Sequence, residues 1–510
     1  MISNELVMPG PTSFAVSSFM RSRLFTPSVI MAVVQLALVL RPTCGAEPAP
    51  KSKPDPKPVA KQSLVGVWQG TLKVQVVELR LVLHISSDGE GLKATLDSPD
   101  QGAKGIPIDR AVLEGDTLTL ELKKLKASFE GKVVQAEDGS KIEGKWTQAG
   151  TLPLEFKRLE KEPDFTRPQE PKKPYPYVET EVAYKNDPGK VTLRGALTHL
   201  ASDAPAPAVL LISGSGPQDR NESIMGHKPF LVLADYLTRR GIVVLRVDDR
   251  GVGGSSGDTM ASTTADMASD ALAGVAFLKS RKEVNPKQIG LVGHSEGGLV
   301  AAVAASSRDD VAFIVMLAGS AVTGEEIIYR QAELVARAQG ADDATVAATR
   351  RMQERIVQAI KESADPAEAE KRVRQVADEA LKDTAGNDQK DGTNAALEGQ
   401  LKLGLSPWFR YFLTYDPRPA LGKVKCPVLA LNGEKDLQVD PRQNLPVIEA
   451  ALKEGGNGDF EVRELKGLNH LFQHCQTGSP TEYGKIDETI SPETLELVGD
   501  WILKRVGGAK

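Results

Sequence analysis

The sequence predicts an α/β protein: a mostly parallel sheet with helices on both faces and a helical cap insertion, preceded by a small all-β sandwich or barrel module. Three observations carry that reading. From Val178 onward, short apolar strand-like runs alternate with helical stretches, an order that calls for a parallel sheet covered on both sides. At Gly293-His294-Ser295-Glu296-Gly297 a buried strand turns sharply into a helix of small residues. Upstream, residues 63–161 hold only short alternating segments separated by turn signals such as Asp88-Gly89, Glu114-Gly115 and Asp138-Gly139.

A chain of 510 residues exceeds what one core organises, so two or three units are expected. Residues 1–46 read as a secretory signal peptide. Arg21-Ser22-Arg23 precedes the apolar run Val29 to Leu40, and Thr43-Cys44-Gly45-Ala46 offers small residues for cleavage. Met20 is an alternative start, and Cys44 lacks the small residues that lipidation requires before it. The apolar run is too short to span a bilayer, and no other segment comes close, so no integral membrane span is expected. The exported product would be secreted or periplasmic. Residues 47–62, rich in Pro, Lys and Ala, read as an extended linker.

In the all-β module (63–161) the strands centre on Val67 to Leu72, Leu79 to His84, Thr117 to Leu122 and Ile142 to Trp146. Trp68 and Trp146 are expected to fill its core rather than line a cavity. A Pro-rich connector (162–177) leads to the catalytic domain (178–510). There Val178 to Val182 and Val191 to Gly195 form an antiparallel pair. Strand Val209 to Ile212, helix Phe230 to Arg239, strand Ile242 to Val247, helix Ala265 to Leu278 and the strand before Ser295 then alternate. After Val311 to Leu317 the alternation stops. Residues of about 322–405 are Ala-, Glu-, Arg- and Gln-rich with helical periodicity, placed where a lid belongs.

Chemistry concentrates on the loops after the strands. Ser295 sits at the apex of a G-x-S-x-G turn, a pattern that marks a nucleophile when a strand precedes it and a helix follows. An acid and a histidine should come later in the chain, in that order. Asp436 follows the strand Cys426 to Leu431 beside a glycine turn; Asp440 caps the helix beginning at Pro441, and Glu434 reads as a solvated turn residue. His470 follows the strand Phe460 to Leu465, with His474 as its weaker competitor. His470 would take the proton of Ser295, and Asp436 would fix the imidazole tautomer. The backbone N–H of Glu296 and one from Ser213 to Arg220, assigned to Ser215 with Gly216 as the alternative, would hold the oxyanion. Trp408, Phe409 and Phe412 supply aromatic surface suited to an acyl pocket, unless they only anchor the cap. Gln218-Asp219-Arg220 lies where it could bind substrate or brace Asp249-Arg250, and bracing is the expectation.

Ser213 through Asn221, Val247 through Ser255, the Gly-His-Ser-Glu-Gly turn and Gly467 through Gln473 together resemble the EstD-type esterases of the α/β-hydrolase superfamily, neighbours of the serine aminopeptidases and dienelactone hydrolases. The resemblance runs from about Val178 to the C-terminus. It implies a carboxylesterase acting on short or medium acyl chains with no cofactor, and it places Ser295, Asp436 and His470 as the triad.

The runner-up is an exopeptidase of the aminopeptidase type using the same triad; a catalytically dead scaffold of the same fold is the third reading. A small-molecule ester is the expected partner, and no metal is expected. A formal net charge of −5 with 26% charged residues offers no basic footprint for nucleic acid. Cys426 and Cys475 belong to opposite ends of the sheet and are not expected to pair. The natural ester and the oligomeric state are left open.

Overall fold

The computed structural model describes residues 61–507 except 75–76, 90, 102, 137–138, 149, 166, 384–400 and 402. The expected signal segment, the linker to residue 60 and part of the cap lie outside the described residues.

The N-terminal module is one antiparallel sheet of nine strands: β1 (Gly66–Val74), β2 (Val77–Asp88), β3 (Gly91–Ser98), β4 (Ala103–Pro107), β5 (Arg110–Glu114), β6 (Thr117–Leu122), β7 (Ala127–Ala136), β8 (Gly139–Thr147) and β9 (Thr151–Leu159). Its order is β4-β3-β2-β1-β9-β8-β7-β6-β5. The two edge strands of that order, β4 and β5, are joined by only Ile108 and Asp109, and β5 lies against β3, so the sheet curls back on itself. The module is therefore a partly closed barrel and not a two-sheet sandwich. Trp68, Phe129, Phe156 and Trp146 fill its interior. The Trp68 indole N–H donates to the Leu64 carbonyl at 2.9 Å, as a buried indole must find an acceptor.

The second sheet has eight strands: β10 (Val178–Asn186), β11 (Val191–His199), β12 (Ala206–Ile212), β13 (Val243–Val247), β14 (Val284–His294), β15 (Ile314–Leu317), β16 (Val428–Gly433) and β17 (Phe460–Leu465). Their order is β10-β11-β13-β12-β14-β15-β16-β17, with β11 antiparallel to both neighbours and every pairing from β13 to β17 parallel. Side chains alternate between two cores along each strand. In β12, Ala208 and Leu210 face helices Thr264–Lys279, Glu296–Ser306 and Pro441–Glu454, whereas Val209 and Leu211 face helices Pro229–Arg239 and Pro492–Val506. Both faces are thus covered, which accounts for the near-continuous apolar runs of the central strands.

Parallel strands all point their C-terminal ends to one edge, and the loops there carry Ser213, Asp249, Ser295, Asp436 and His470. Between β15 and β16 come helices Gly324–Ala338, Asp343–Glu362, Pro366–Asp383 and Pro407–Thr414, which share a core of Ile327, Ile356, Val373, Trp408 and Phe412. The connector does more than link. Buried Arg167 donates to the Gly484 carbonyl at 2.7 Å, and Gln169 donates to the Ile490 carbonyl at 2.7 Å. Cys426 and Cys475 are free, and no helix among the described residues is long and apolar enough to cross a membrane.

Candidate active site

Strand β14 delivers Ser295 to the turn with φ 54° and ψ −121°, a region that non-glycine residues rarely occupy. The strain is held in place: the Ser295 N–H donates to the Leu317 carbonyl at the end of β15, at 2.8 Å. The flanking glycines are required by contact. A Cβ on Gly293 would lie 2.0 Å from the Gly297 carbonyl oxygen, and one on Gly297 would lie 2.1 Å from that of Ile212. The loop after β12 crosses directly over the serine, since a Cβ on Gly214 would lie 3.1 Å from Ser295 Cβ. The amides of Ser215 and Glu296 have no hydrogen-bond partner among the described residues, and Ser215 is buried.

Asp436 is buried, and its carboxylate is fully oriented. Oδ1 accepts the N–H groups of Gln438 and Val439 at 2.8 and 2.9 Å, which turns Oδ2 toward His470 Nδ1 at 2.7 Å. A carboxylate only accepts, so Nδ1 carries the proton and Nε2 is left as a base. Asn469 builds the turn that presents His470 by accepting from the N–H groups of Leu471 and Gln473, both at 3.0 Å. Among the described residues Ser295 makes no hydrogen bond to His470; such bonds often tighten only when substrate arrives. The competitors fall elsewhere. His474 is bonded to Glu488 at 2.9 Å on the surface. Asp440 caps its helix through the Arg442 N–H at 3.0 Å and also pairs with Arg330 at 2.6 Å. Glu434 accepts the Gly467 N–H at 2.9 Å and so braces the turn after β17.

The aromatic segment needs a correction. Trp408, Phe409 and Phe412 are buried in the shared core of the cap, Trp408 stacking on Phe412 with ring centroids 5.6 Å apart. They anchor the helices between β15 and β16 and present no open acyl surface. The Trp408 indole donates to both oxygens of Glu296 at 3.0 and 3.2 Å, and the Thr264 hydroxyl donates at 2.8 Å. Burial raises the pKa of that carboxyl against these hydrogen bonds. Arg220 differs as well. It pairs with Asp248 at 2.7 Å and Glu181 at 2.6 Å, while Arg250 turns to Asp270 at 2.6 Å. The brace on Asp249 comes from Gln218, whose N–H donates to it at 2.8 Å, and from the Ser213 hydroxyl, also at 2.8 Å. Asp249 therefore grips both ends of the loop that carries Ser215. Burial pushes its carboxyl up to about 8. A cavity of about 60 Å³ beside it is lined by Ser213, Gly214, Arg250 and Met267 but not by Ser295 or His470.

Sequence reasoning missed a second buried carboxylate beside the serine. Glu222, at φ 52°, accepts the Gly214 N–H at 2.7 Å and contacts His294 Nδ1 at 3.0 Å. His294 Nε2 lies 3.0 Å from the His470 carbonyl oxygen, with the two imidazole centroids 4.7 Å apart. The variable position of the elbow is thus a buried bridge. No pattern marks it, because its partners lie 72 and 176 positions away. Among the described residues only His84, Asp97 and Glu162 gather as metal ions would require. His84 meets Asp97 through Nε2 at 3.1 Å and Glu162 through Nδ1 at 3.6 Å.

The sequence profile of the X-Pro dipeptidyl-peptidase (S15) family matches residues 162–476. Esterase EstD of Thermotoga maritima is 26% identical over 349 residues, covering 67% of this chain and 70% of the relative. A Pyrococcus furiosus esterase structure shares 16% identity over 65% of this chain and 91% of its own, with a TM-score of 0.37. Est1E of Butyrivibrio proteoclasticus, solved with ferulic acid bound, shares 18% identity over 64% of this chain and 99% of its own, with a TM-score of 0.36.

Proposed function

The chain belongs to the S15 family of serine hydrolases, and on that premise we propose that it is an exported serine carboxylesterase hydrolysing short to medium acyl esters through an acyl-enzyme on Ser295. The observation that carries the reading is the 2.7 Å contact of His470 with an oriented Asp436, on loops at the same sheet edge as a strained serine turn. In this mechanism His470 Nε2 removes the Ser295 proton as the hydroxyl attacks the ester carbonyl. The unpartnered amides of Ser215 and Glu296 receive the oxyanion, and the imidazolium, steadied by Asp436, protonates the departing alcohol. Water then repeats the sequence on the acyl-enzyme and releases the acid. The helices between β15 and β16 act as a lid that limits acyl length. The leader with its apolar run Val29 to Leu40 directs export.

The family's description supports a second reading, a dipeptidyl-peptidase. Such an enzyme needs acids aimed at the substrate's free ammonium. The acids beside the serine and at the start of the cap are already engaged. Glu296 is held by Trp408 and Thr264, Glu325 by Lys361 and Tyr329, and Glu326 by Thr323 in a capping box. Those engagements favour the ester. A panel of p-nitrophenyl esters of increasing acyl length, run beside alanyl and prolyl anilides, tests the choice. A butyrate ester should give the higher kcat/KM; faster cleavage of the anilides replaces the esterase with the peptidase.

A further inference from the structure

His294 has an acceptor on each side of its ring. Nε2 faces the His470 carbonyl oxygen at 3.0 Å, and a carbonyl brings no proton, so Nε2–H must donate. Nδ1 faces Glu222 Oε1 at 3.0 Å, an oxygen that already accepts the Gly214 N–H at 2.7 Å. Oε1 is thus an acceptor on the Nδ1 side as well, while Oε2 is buried without a partner. With an acceptor at each ring nitrogen, His294 is held toward its doubly protonated, cationic form, the direction in which its pKa is raised. This cation lies between the loop that carries Ser215 and the loop that carries His470.

We propose that Glu222 and His294 form a second carboxylate–imidazole pair whose role is positional: it ties the oxyanion loop to the base-bearing loop across Ser295. The proposal rests on the triad reading above. Removing one proton from His294 would set a nitrogen lone pair against either the carbonyl or the carboxylate, and one of the two ties would fail. Glu222 from the loop after β12 and His470 from the loop after β17 contact the ring; the charge of Asp436 on the loop after β16 also acts on it, and that of Glu222 acts on Asp249. Burial works against the imidazolium. The charge and hydrogen bond of Glu222 outweigh it, the His470 carbonyl and Asp436 add to them, and the pKa is raised above 6.5. Activity should accordingly fall on the alkaline side as His294 loses its second proton.

The test is the pH profile of kcat and KM on p-nitrophenyl butyrate for wild type, Glu222→Gln, His294→Gln and His294→Leu. Fluorophosphonate labelling of Ser295 in each serves as the check on folding and on the triad. Glutamine at 294 still donates to the His470 carbonyl but does not titrate, so His294→Gln should lose the alkaline limb. Glu222→Gln should move that limb to lower pH, because the anion that raises the pKa is gone. His294→Leu should lose kcat by about 10²-fold with little change in KM, the scale expected when reacting groups are misplaced by about 1 Å, and His294→Gln should recover part of it. A labelled Ser295 with the wild-type alkaline limb intact in His294→Gln, or a His294→Leu enzyme as fast as wild type, overturns the positioning pair alone. An unlabelled Ser295 in the wild type overturns the triad reading and the pair with it.

Discussion

Replacing Asp436 by asparagine changes one atom and should almost abolish turnover. Asp436 Oδ1 is committed to two backbone donors, the N–H groups of Gln438 and Val439 at 2.8 and 2.9 Å. An asparagine must keep its single oxygen there, because turning the amide over would set an N–H₂ group against two N–H donors in a buried site. Its nitrogen then faces His470 Nδ1 across the 2.7 Å gap that now holds the carboxylate. To accept from that nitrogen, the imidazole must move its proton to Nε2, the atom that has to take the proton of Ser295. The wrong tautomer costs about 10⁴-fold in kcat in the serine-protease triad, or roughly 5 kcal/mol at the transition state, and the same arrangement should lose a similar amount here. KM should change little. The control is Asp440→Asn, which keeps an acceptor for the Arg442 N–H but weakens the pair with Arg330. That pair is partly exposed, so its loss should cost no more than about 1 kcal/mol of stability and leave kcat near wild type. The assay is steady-state hydrolysis of p-nitrophenyl butyrate, with unfolding melts to confirm that both variants are folded. Equal kcat losses at 436 and 440, or a folded Asp436→Asn enzyme of near wild-type rate, would refute the reasoning.

Ser295→Ala should fold and lose turnover by at least about 10³-fold, leaving only what binding and the oxyanion donors contribute; retained ester hydrolysis in a clean preparation would unseat the nucleophile. A chain beginning at Pro163 should hydrolyse small soluble esters, since every proposed catalytic group lies beyond it. One beginning at Val178 should melt earlier, because it loses Arg167 and Gln169 and strands the Gly484 and Ile490 carbonyls. The carboxyl of Asp249 is raised from 3.8 to about 8, so between those values the folded protein binds the proton more tightly than the unfolded chain. Its contribution to stability is present at low pH and is lost as pH rises toward 8. Asp249→Asn, which cannot ionise, should flatten that part of a melting-temperature profile between pH 4 and 9, and an unchanged slope would count against the buried proton.

The elements that were legible in the sequence are those set by neighbours along the chain. Glycines flanking Ser295, a preceding apolar strand and a following small-residue helix are local signals, and the backbone geometry they impose is local too. The order of serine, acid and histidine could be read because each follows a strand and parallel strands end at one edge. Trp68 and Trp146 were placed in a core on composition and position alone, and both are buried there. The choice between a sandwich and a barrel was not legible, because it depends on whether β3 and β5 meet, and neither strand carries a signal for the other.

Side-chain partnerships needed the tertiary structure for the same physical reason. Whether Trp408 lines a pocket or seals a core depends on where the cap lands, and it lands with the indole on Glu296, 112 positions away. Arg220 could have met Asp249; it meets Asp248, whose carboxylate also accepts the Arg220 N–H at 2.8 Å. Glu222 and His294 carry no signal for each other along the chain, and the fold buries both beside Ser295. There the cost of an unpaired charge in a dry site forces each to take the other as its partner. Local pattern determined which residue could be the nucleophile and which loops would surround it. Only the packed structure decided which charges those loops would have to neutralise.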